Sequence, residues 1–301
     1  MSIEAIISEI SSDRFLPIAL PLFALALILE SAISRFQQRE LYEGKDFLIS
    51  MSMLVLSGVV DLIPKLAAIV VFYYLHELTP LRDVVQRQWW AWVLLFFLDD
   101  FVYYWFHRAN HEIRIFWAGH VPHHSSNKLN FGTALRQGVG ERIHKYFFWL
   151  PLPLLGFDAV MIFTMISLNL IYQFWVHTEL VNRLPTFIEA VFNTPSHHRV
   201  HHGSNTAYLD RNHGGVLIVW DKCFDTFTEE QTIEPVIYGL TKNISTYNPI
   251  KVAASEYVNL MRDVMRAKTW LDKARYIFLA PGWSHDGPDL RANTRRTAIS
   301  T

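Results

Sequence analysis

Four long apolar stretches limit the folds that are open to this chain. They cover residues 15–33, 47–75, 89–106 and 147–175. A helix needs about 20 mostly apolar residues to cross a lipid bilayer, and several such stretches in succession are typical of membrane proteins. The composition agrees, because 51% of the residues are hydrophobic and only 18% are charged. We therefore expect an all-α fold, an integral membrane helix bundle.

Two of the stretches contain residues that bend or break helices. Asp61, Pro64 and Lys65 interrupt the second stretch, which predicts either one kinked span or two half-spans. Pro151 and Gly156 divide the fourth stretch, which predicts a hairpin that enters the membrane and returns to the same side. The bundle is thus expected to have four to five spans, including this hairpin.

Nine of the 14 histidines lie in three short clusters. Eight of them form the patterns HxxxH, HxxHH and HxxHH, and one precedes the last pattern. The full set is His107, His111, His120, His123, His124, His197, His198, His201 and His202. Residues three and four apart share one face of a helix, and neutral imidazole is a common ligand for zinc, iron, copper and nickel. A tetrahedral ion takes only about four ligands, so these histidines predict a site for two metal ions.

Two prolines mark the helices that carry the HxxHH patterns. Pro122 interrupts the second cluster, so the helix there is expected to begin near that residue. Pro195, followed by Ser196, predicts the start of the helix that carries the third cluster.

Polar residues in and after the fourth stretch extend the candidate site. Asn169, Gln173 and His177 recur every four residues and form one polar face. Polar groups at such depth normally line a bundle interior or a cavity. We expect His177 to be a tenth metal ligand and Gln173 to be a further candidate. His213, beside tandem glycines, is a candidate cavity-lining residue or a structural cap.

A pair of carboxylates precedes the first cluster. Asp99 and Asp100 lie about two helical turns before His107, toward the same face. A carboxylate behind a metal-bound imidazole fixes its tautomer and raises its basicity, so either one is a candidate partner of a ligand histidine. The alternative is an ion pair with Arg108 or Arg87 at the membrane interface.

Lysine and arginine are distributed unevenly among the loops. Residues 34–46 contain three and residues 107–146 contain six, whereas residues 76–88 contain two. Short loops rich in Lys and Arg stay on the cytoplasmic side. The histidine clusters of this multi-pass protein are therefore expected to face the cytoplasm, in a bacterial inner membrane or the endoplasmic reticulum.

These patterns divide the chain into three regions. Residues 1–106 are expected to hold the N-terminal membrane spans, and residues 107–252 the histidine-rich catalytic region with its membrane hairpin. Residues 253–301 are expected to form an amphipathic helix on the membrane surface and a tail, or else an ordinary peripheral helix. The formal net charge of -1 gives no indication of nucleic-acid binding, and a single cysteine, Cys223, fits a reducing compartment.

The strings around the histidines carry a family resemblance. They are WAGHVPHHSS at 117–126, YQFWVHTE at 172–179, NTPSHHRVHHG at 193–203 and GGVLIVWD at 214–221. With the histidine patterns, they make the chain similar to the sterol desaturase and fatty acid hydroxylase superfamily over roughly residues 45–250. Within that superfamily, the chain most resembles the monooxygenases that cleave alkylglycerol ether lipids.

The resemblance implies a membrane helix bundle capped by a cytosolic histidine-rich helical domain, in which the histidines hold two iron ions. It implies O2-dependent oxidation of a membrane lipid, with tetrahydrobiopterin as a cofactor in the alkylglycerol-cleaving members. A sterol or ornithine-lipid hydroxylase or desaturase of the same superfamily is the alternative. Because the chain has no flavin or nicotinamide fingerprint, electrons are expected from an external donor: a reductase, a ferredoxin, a protein of the cytochrome b5 type or the pterin.

The residues alone leave two other classes of protein open. Zinc fits the same ligands, and a membrane zinc hydrolase would use a metal-bound water instead of O2. A metal store or transporter would need histidines along a path through the spans. The clusters lie instead at the ends of the spans, which disfavours that class.

Overall fold

The structure is a computed structural model that describes residues 4–5, 8 and 15–300. Over these residues the chain is helical, and its β contacts are isolated bridges between Phe192 and Leu217 and between Gly203 and Tyr238. The all-α prediction is therefore confirmed for the described part of the chain.

The first nine helices form the bundle. They are α1 (Phe15–Phe36), α2 (Gly44–Leu78), α3 (Arg82–Val85), α4 (Trp89–Glu112), α5 (Arg114–His124), α6 (Phe131–Ala134), α7 (Glu141–His144), α8 (Pro151–Leu154) and α9 (Ala159–Trp175), with a 3-10 helix at Lys145–Trp149. The later helices are α10 (Thr186–Glu189), α11 (Pro195–His201), α12 (Val219–Cys223), α13 (Pro249–Arg266), α14 (Trp270–Phe278) and α15 (Ala292–Ser300).

Among the described residues, α1 and α2 are long and apolar enough to cross a membrane, by length and composition. The helix α2 is a single helix of 35 residues that continues through Pro64. Large apolar side chains on these helices face outward, and Ile28, Val55 and Ile63 are 66%, 66% and 79% exposed. Such a surface is typical of contact with lipid rather than water. The higher span count expected from the sequence stays a prediction.

The third and fourth apolar stretches pack against each other. The helix α4 continues past the third stretch and carries the first histidine cluster in its last turns. The chain later reverses at Gly156, where a φ of 95° favours glycine, and α9 then packs against α4. Leu95, Trp149 and Met161 are almost fully buried in this interior. The reversal returns the end of α9, next to His177, to the other histidines.

The helix that carries the second cluster differs from its prediction. It begins at Arg114, so Pro122 lies in its last turn rather than at its start. Arg114 pairs with Glu256 at 2.9 Å and with Asp263 at 2.7 Å, both on α13. These contacts fix the start of the helix well before the proline. In the last turn of a helix, a proline removes only one backbone hydrogen bond and is therefore tolerated there. Pro195 is the first residue of α11, as predicted.

The predicted amphipathic segment forms two helices, α13 and α14, rather than one. Val252 and Leu260 of α13 are buried. Val258, Met261 and Met265 are 44%, 60% and 75% exposed, and their spacing of three and four residues aligns them on one face. One side of α13 thus packs on the protein, while an apolar stripe stays uncovered by the described chain.

Candidate metal centre

Nine buried histidines converge in two neighbouring groups. The first group consists of His107, His111, His120, His124 and His201, and the second consists of His123, His177, His198 and His202. Within each group, the candidate ligand nitrogens all lie within 4.8 Å of one another. Each group is therefore compact enough to surround a single ion.

The helical spacing explains how each HxxHH pattern contributes to both groups. On α5, His120 and His124 are one turn apart and belong to the first group, whereas His123 belongs to the second. At α11 the division is similar, because His201 joins the first group and His198 the second. The two groups thus share both helices.

The nitrogens of the second group are spaced as ligands of one ion would be. The Nε2 atom of His198 lies 2.8 Å from that of His177 and 3.1 Å from that of His202. The Nε2 atoms of His177 and His123 are 3.3 Å apart. Two nitrogens about 2.1 Å from one ion, at right angles, would be about 3 Å apart. The observed separations therefore fit a common ion.

The first group contains nitrogens that lack any partner. The Nε2 atoms of His107, His111 and His201 are buried and form no hydrogen bond within the described residues. A buried polar atom left unsatisfied costs about 1–3 kcal/mol. Converging imidazole nitrogens are a typical donor set for a transition-metal ion, so the residues present fit such an ion.

Burial keeps these imidazoles in the form that binds metal. The pKa values of His124, His201 and His202 lie well below their usual value, mainly because burial disfavours the charged form and also because neighbouring histidines would repel it. Burial likewise lowers the pKa of His177 to about 4. Since a metal ion binds neutral imidazole, the site is ready to bind at neutral pH.

Backbone carbonyls orient several of the rings. The Nδ1 atom of His107 donates to the His213 carbonyl at 2.8 Å, and that of His177 donates to the Gln173 carbonyl at 2.7 Å. Two further histidines of the groups are held in the same way. A carbonyl only accepts, so the proton stays on Nδ1 and Nε2 is left free for a metal.

Two carboxylates that the sequence analysis missed contact histidines of the first group. Glu141 Oε2 lies 2.7 Å from His120 Nδ1, and Asp210 Oδ1 lies 3.3 Å from His111 Nδ1. Glu141 follows the histidine it contacts by 21 residues and belongs to another helix. No local spacing could therefore have identified it.

Contrary to the prediction, neither Asp99 nor Asp100 forms a hydrogen bond or an ion pair with a histidine or an arginine in the described part of the chain. Asp99 accepts a hydrogen bond from Trp149 Nε1 at 2.7 Å. Asp100 accepts from the backbone amides of Val216 at 2.7 Å and Leu217 at 3.0 Å. Two helical turns correspond to about 11 Å along the axis, which is too far for a carboxylate to reach the imidazole of the first cluster.

Three other predicted site residues lie beside the two groups. His197 belongs to neither group, and its Nε2 atom is 3.1 Å from Glu189 Oε2. Gln173 lines the cavity described below. His213 is fully buried, with its ring centroid 5.0 Å from that of His111.

A cavity of about 210 Å³ joins the histidines to the two candidate spans. Both groups contribute to its wall, with His107 and His120 from the first and His123, His177 and His198 from the second. The apolar part of the wall includes Leu20 and Phe23 of α1, Leu54 of α2, and Leu170 and Phe174 of α9. An apolar chain in this cavity would therefore lie between the candidate spans and the histidines.

The sequence around these histidines is similar to those of known proteins. Residues 92–226 match the family model described as Fatty acid hydroxylase, and the alkylglycerol monooxygenase of Homo sapiens is 39% identical over 90% of this chain. The chain belongs to the fatty acid hydroxylase family. The region that matches the family model contains all nine converging histidines.

Two further relatives differ in how similar they are to this chain and in how much of it they cover. The alkylglycerol monooxygenase of Xenopus tropicalis is 40% identical, covering 89% of this chain and 59% of its own length. Ornithine lipid hydroxylase OlsE of Rhizobium tropici is 26% identical, covering 51% of this chain and 46% of its own length. The chain spans 60% of the length of the human relative. No solved structure matches.

Proposed function

We propose that this chain is a membrane-bound, non-haem di-iron monooxygenase that uses O2 to hydroxylate a lipid C–H bond. The observation that carries the proposal is the pair of histidine groups on the wall of a cavity that α1 and α2 also line. Similarity to proteins named alkylglycerol monooxygenase and ornithine lipid hydroxylase supports a lipid substrate.

Iron is the metal we propose for both groups. Two irons would supply the redox chemistry that O2 requires, whereas zinc has none. The nine converging histidines are the ligands we propose, and the chain holds their rings through carbonyls and carboxylates on the opposite nitrogen. The names of the relatives, which are monooxygenases and hydroxylases, do not favour a zinc hydrolase.

The reaction we propose consumes one O2, two protons and two electrons for each C–H bond converted to C–OH, with water as the second product. In an alkylglycerol, hydroxylation beside the ether oxygen gives a hemiacetal that breaks down to an aldehyde and glycerol. An external donor supplies the electrons, and we propose tetrahydrobiopterin because of the similarity to alkylglycerol monooxygenases. A ferredoxin, a reductase or a protein of the cytochrome b5 type is the alternative.

We further propose that the histidine site forms a cap on the cytoplasmic face of a bundle with four to five spans. The exposed apolar surfaces of α1 and α2 support membrane insertion. The apolar stripe of α13 is flanked by the exposed Arg262 and Arg266, and this combination is typical of a helix that lies in the headgroup region of a bilayer.

The test is an assay of the full chain, purified without O2, loaded with Fe(II) and supplied with alkylglycerol. Separate reactions contain tetrahydrobiopterin or a ferredoxin with its reductase. We expect aldehyde only when O2 and a donor are both present. Equal product without O2, or from protein loaded with zinc alone, would contradict the proposal.

A further inference from the structure

Four consecutive residues, 210–213, border the first histidine group and carry acceptors for its rings. The Arg211 carbonyl accepts a hydrogen bond from His201 Nδ1 at 3.0 Å, and the His213 carbonyl accepts one from His107 Nδ1 at 2.8 Å. These two ligand histidines lie on different helices, α11 and α4. One short segment thus fixes the proton on Nδ1 of both rings and leaves each Nε2 atom for a metal ion.

The same segment reaches a third histidine of the first group. Asp210 Oδ1 lies 3.3 Å from His111 Nδ1. In the second group, by contrast, His123 and His177 donate to carbonyls that belong to other parts of the chain. The position of residues 210–213 therefore bears more directly on the ligands of the first group than on those of the second.

The backbone of residues 210–213 has an unusual conformation. Asp210 and Asn212 have φ values of 51° and 57°, in the left-handed region that asparagine and aspartate enter more readily than other non-glycine residues. This alternation accompanies two carbonyls, those of Arg211 and His213, that both face the first group. Such a conformation persists only where the surrounding structure holds it in place.

The side chain of Asn212 supplies contacts that hold this segment. It is fully buried, and its Nδ2 atom donates to the His197 carbonyl at 3.0 Å and to the Thr228 carbonyl at 2.8 Å. Its Oδ1 atom accepts a hydrogen bond from the Thr228 amide at 2.8 Å. Both amide hydrogens of the side chain are therefore used. These hydrogen bonds join residues 210–213 to α11, which also carries His201.

We propose that Asn212 is a positioning residue of the first histidine group. Its side-chain amide holds residues 210–213 against α11, so that one carboxylate and two carbonyls keep His107, His111 and His201 aimed at a common metal ion. This inference rests on the proposed function and deepens it. Loss of the amide loosens the ion of the first group and spares the ion of the second, because the rings of the second group are oriented from other segments.

The test measures metal affinity without turnover. The full chain, loaded with Fe(II) and kept free of O2, lipid and electron donor, is exposed to graded concentrations of a chelator. We expect Asn212→Ala to release one of two ions at a chelator concentration about 10- to 100-fold lower, the range found for groups that orient metal ligands. The other ion should leave as it does from the unmodified chain. In a His124→Ala background, which already lacks a ligand of the first group, Asn212→Ala should not loosen the remaining ion.

Two further variants separate the amide from other effects. Asn212→Gly accepts the left-handed backbone without strain but lacks the amide, so it should weaken the first site as Asn212→Ala does. Asn205→Ala is the matched control, because Asn205 also bridges backbone atoms. It donates to the Pro235 carbonyl at 3.0 Å and accepts from the Ile237 amide at 2.8 Å, outside residues 210–213. Its loss should change neither affinity.

Unchanged affinities in Asn212→Gly, or equal weakening of both sites, would overturn the assignment. If Asn212→Ala does not fold, Asn212→Gly still decides, since it removes the same amide without backbone strain. The result is also separable from the proposed function. Selective loosening of one ion in a chain that oxidises no lipid contradicts only the proposed function, whereas O2-dependent oxidation without selective loosening contradicts only this inference.

Discussion

Glu141 accepts a hydrogen bond from His120, with 2.7 Å between Oε2 and Nδ1, and both side chains are buried. The contact leaves His120 Nε2 on the side of the first histidine group, 3.1 Å from His124 Nε2. A carboxylate in this position fixes the tautomer of the ring and makes the opposite nitrogen a stronger ligand.

The first prediction concerns this carboxylate. We expect Glu141→Gln to weaken metal binding by the first group about 10- to 100-fold, because an amide keeps an acceptor but loses the charge. Metal content measured against graded concentrations of a chelator gives the affinity. Glu229→Gln is the control, since Glu229 is an exposed glutamate on the surface. An unchanged affinity would show that the helix alone holds His120.

The adjacent residues His197 and His198 provide a matched pair. We expect His198→Ala to lose one of two bound ions and to lower the rate of lipid oxidation more than about 100-fold. Loss of a group that only hydrogen-bonds to a ligand already lowers metal affinity or activity about 10- to 100-fold. His197→Ala should keep both ions, because its Nε2 atom faces Glu189 at 3.1 Å rather than the second group. Elemental analysis and O2 consumption measure the two effects. Loss of metal from both variants would return His197 to the set of ligands.

The sequence predicted those parts of the candidate site that depend on a single helix. The spacing of HxxxH and HxxHH is a property of one helix, and so is the polar face of α9 that identified His177. The division of His123 and His124 between two groups depends on how α4, α5 and α11 are rotated relative to one another. No periodicity within one segment contains that information.

The carboxylates show the same limit of prediction from the sequence. Asp100 lies near the first histidine cluster in the sequence, yet its partners are amides 116 and 117 residues later. Glu141 had no pattern to mark it and is in contact with a histidine of the first group. Proximity in the sequence therefore suggested Asp100 as the partner of a histidine, whereas tertiary packing places Glu141 beside a histidine of the first group.

Asp100 is expected to stabilise the segment whose backbone orients His107. Asp100→Ala would leave the amides of Val216 and Leu217 and the indole of Trp220 without their acceptor. At about 1–3 kcal/mol for each of these three donors, we expect the free energy of unfolding to fall by about 3–9 kcal/mol. Denaturant titration in detergent measures this loss. Asp83→Ala, at an exposed aspartate, should change it little, and an equally small effect at Asp100 would contradict the prediction.

The apolar stripe of α13 is expected to contact lipid. In a Cys223→Ser background, which removes the exposed native thiol, a fluorophore is attached at Met261→Cys or at Asn259→Cys. Brominated lipids in the bilayer should quench the label at 261 more strongly than the label at 259, which lies away from the stripe. Anionic lipid should strengthen the difference because Arg262 and Arg266 lie beside the stripe. Equal, weak quenching at both positions would show that α13 faces water.

The last prediction follows from the charge of Lys145, which lies on the wall of the cavity beside the histidines. Burial lowers its pKa to about 8, and Arg142 lowers it further, whereas Asp61, Glu141 and Asp99 oppose the shift. The side chain is therefore mostly charged at neutral pH and loses its proton as the pH rises through about 8. Because a neutral amine is a weaker donor than an ammonium group, we expect KM for an alkylglycerol to rise up to about tenfold between about pH 7 and pH 9.

The matched variant for this pH dependence is Lys145→Arg, since a guanidinium stays charged throughout that range. Its KM should be nearly constant with pH, even if its absolute value is higher. A KM that rises equally in Lys145→Arg would assign the titration to another group and contradict the prediction.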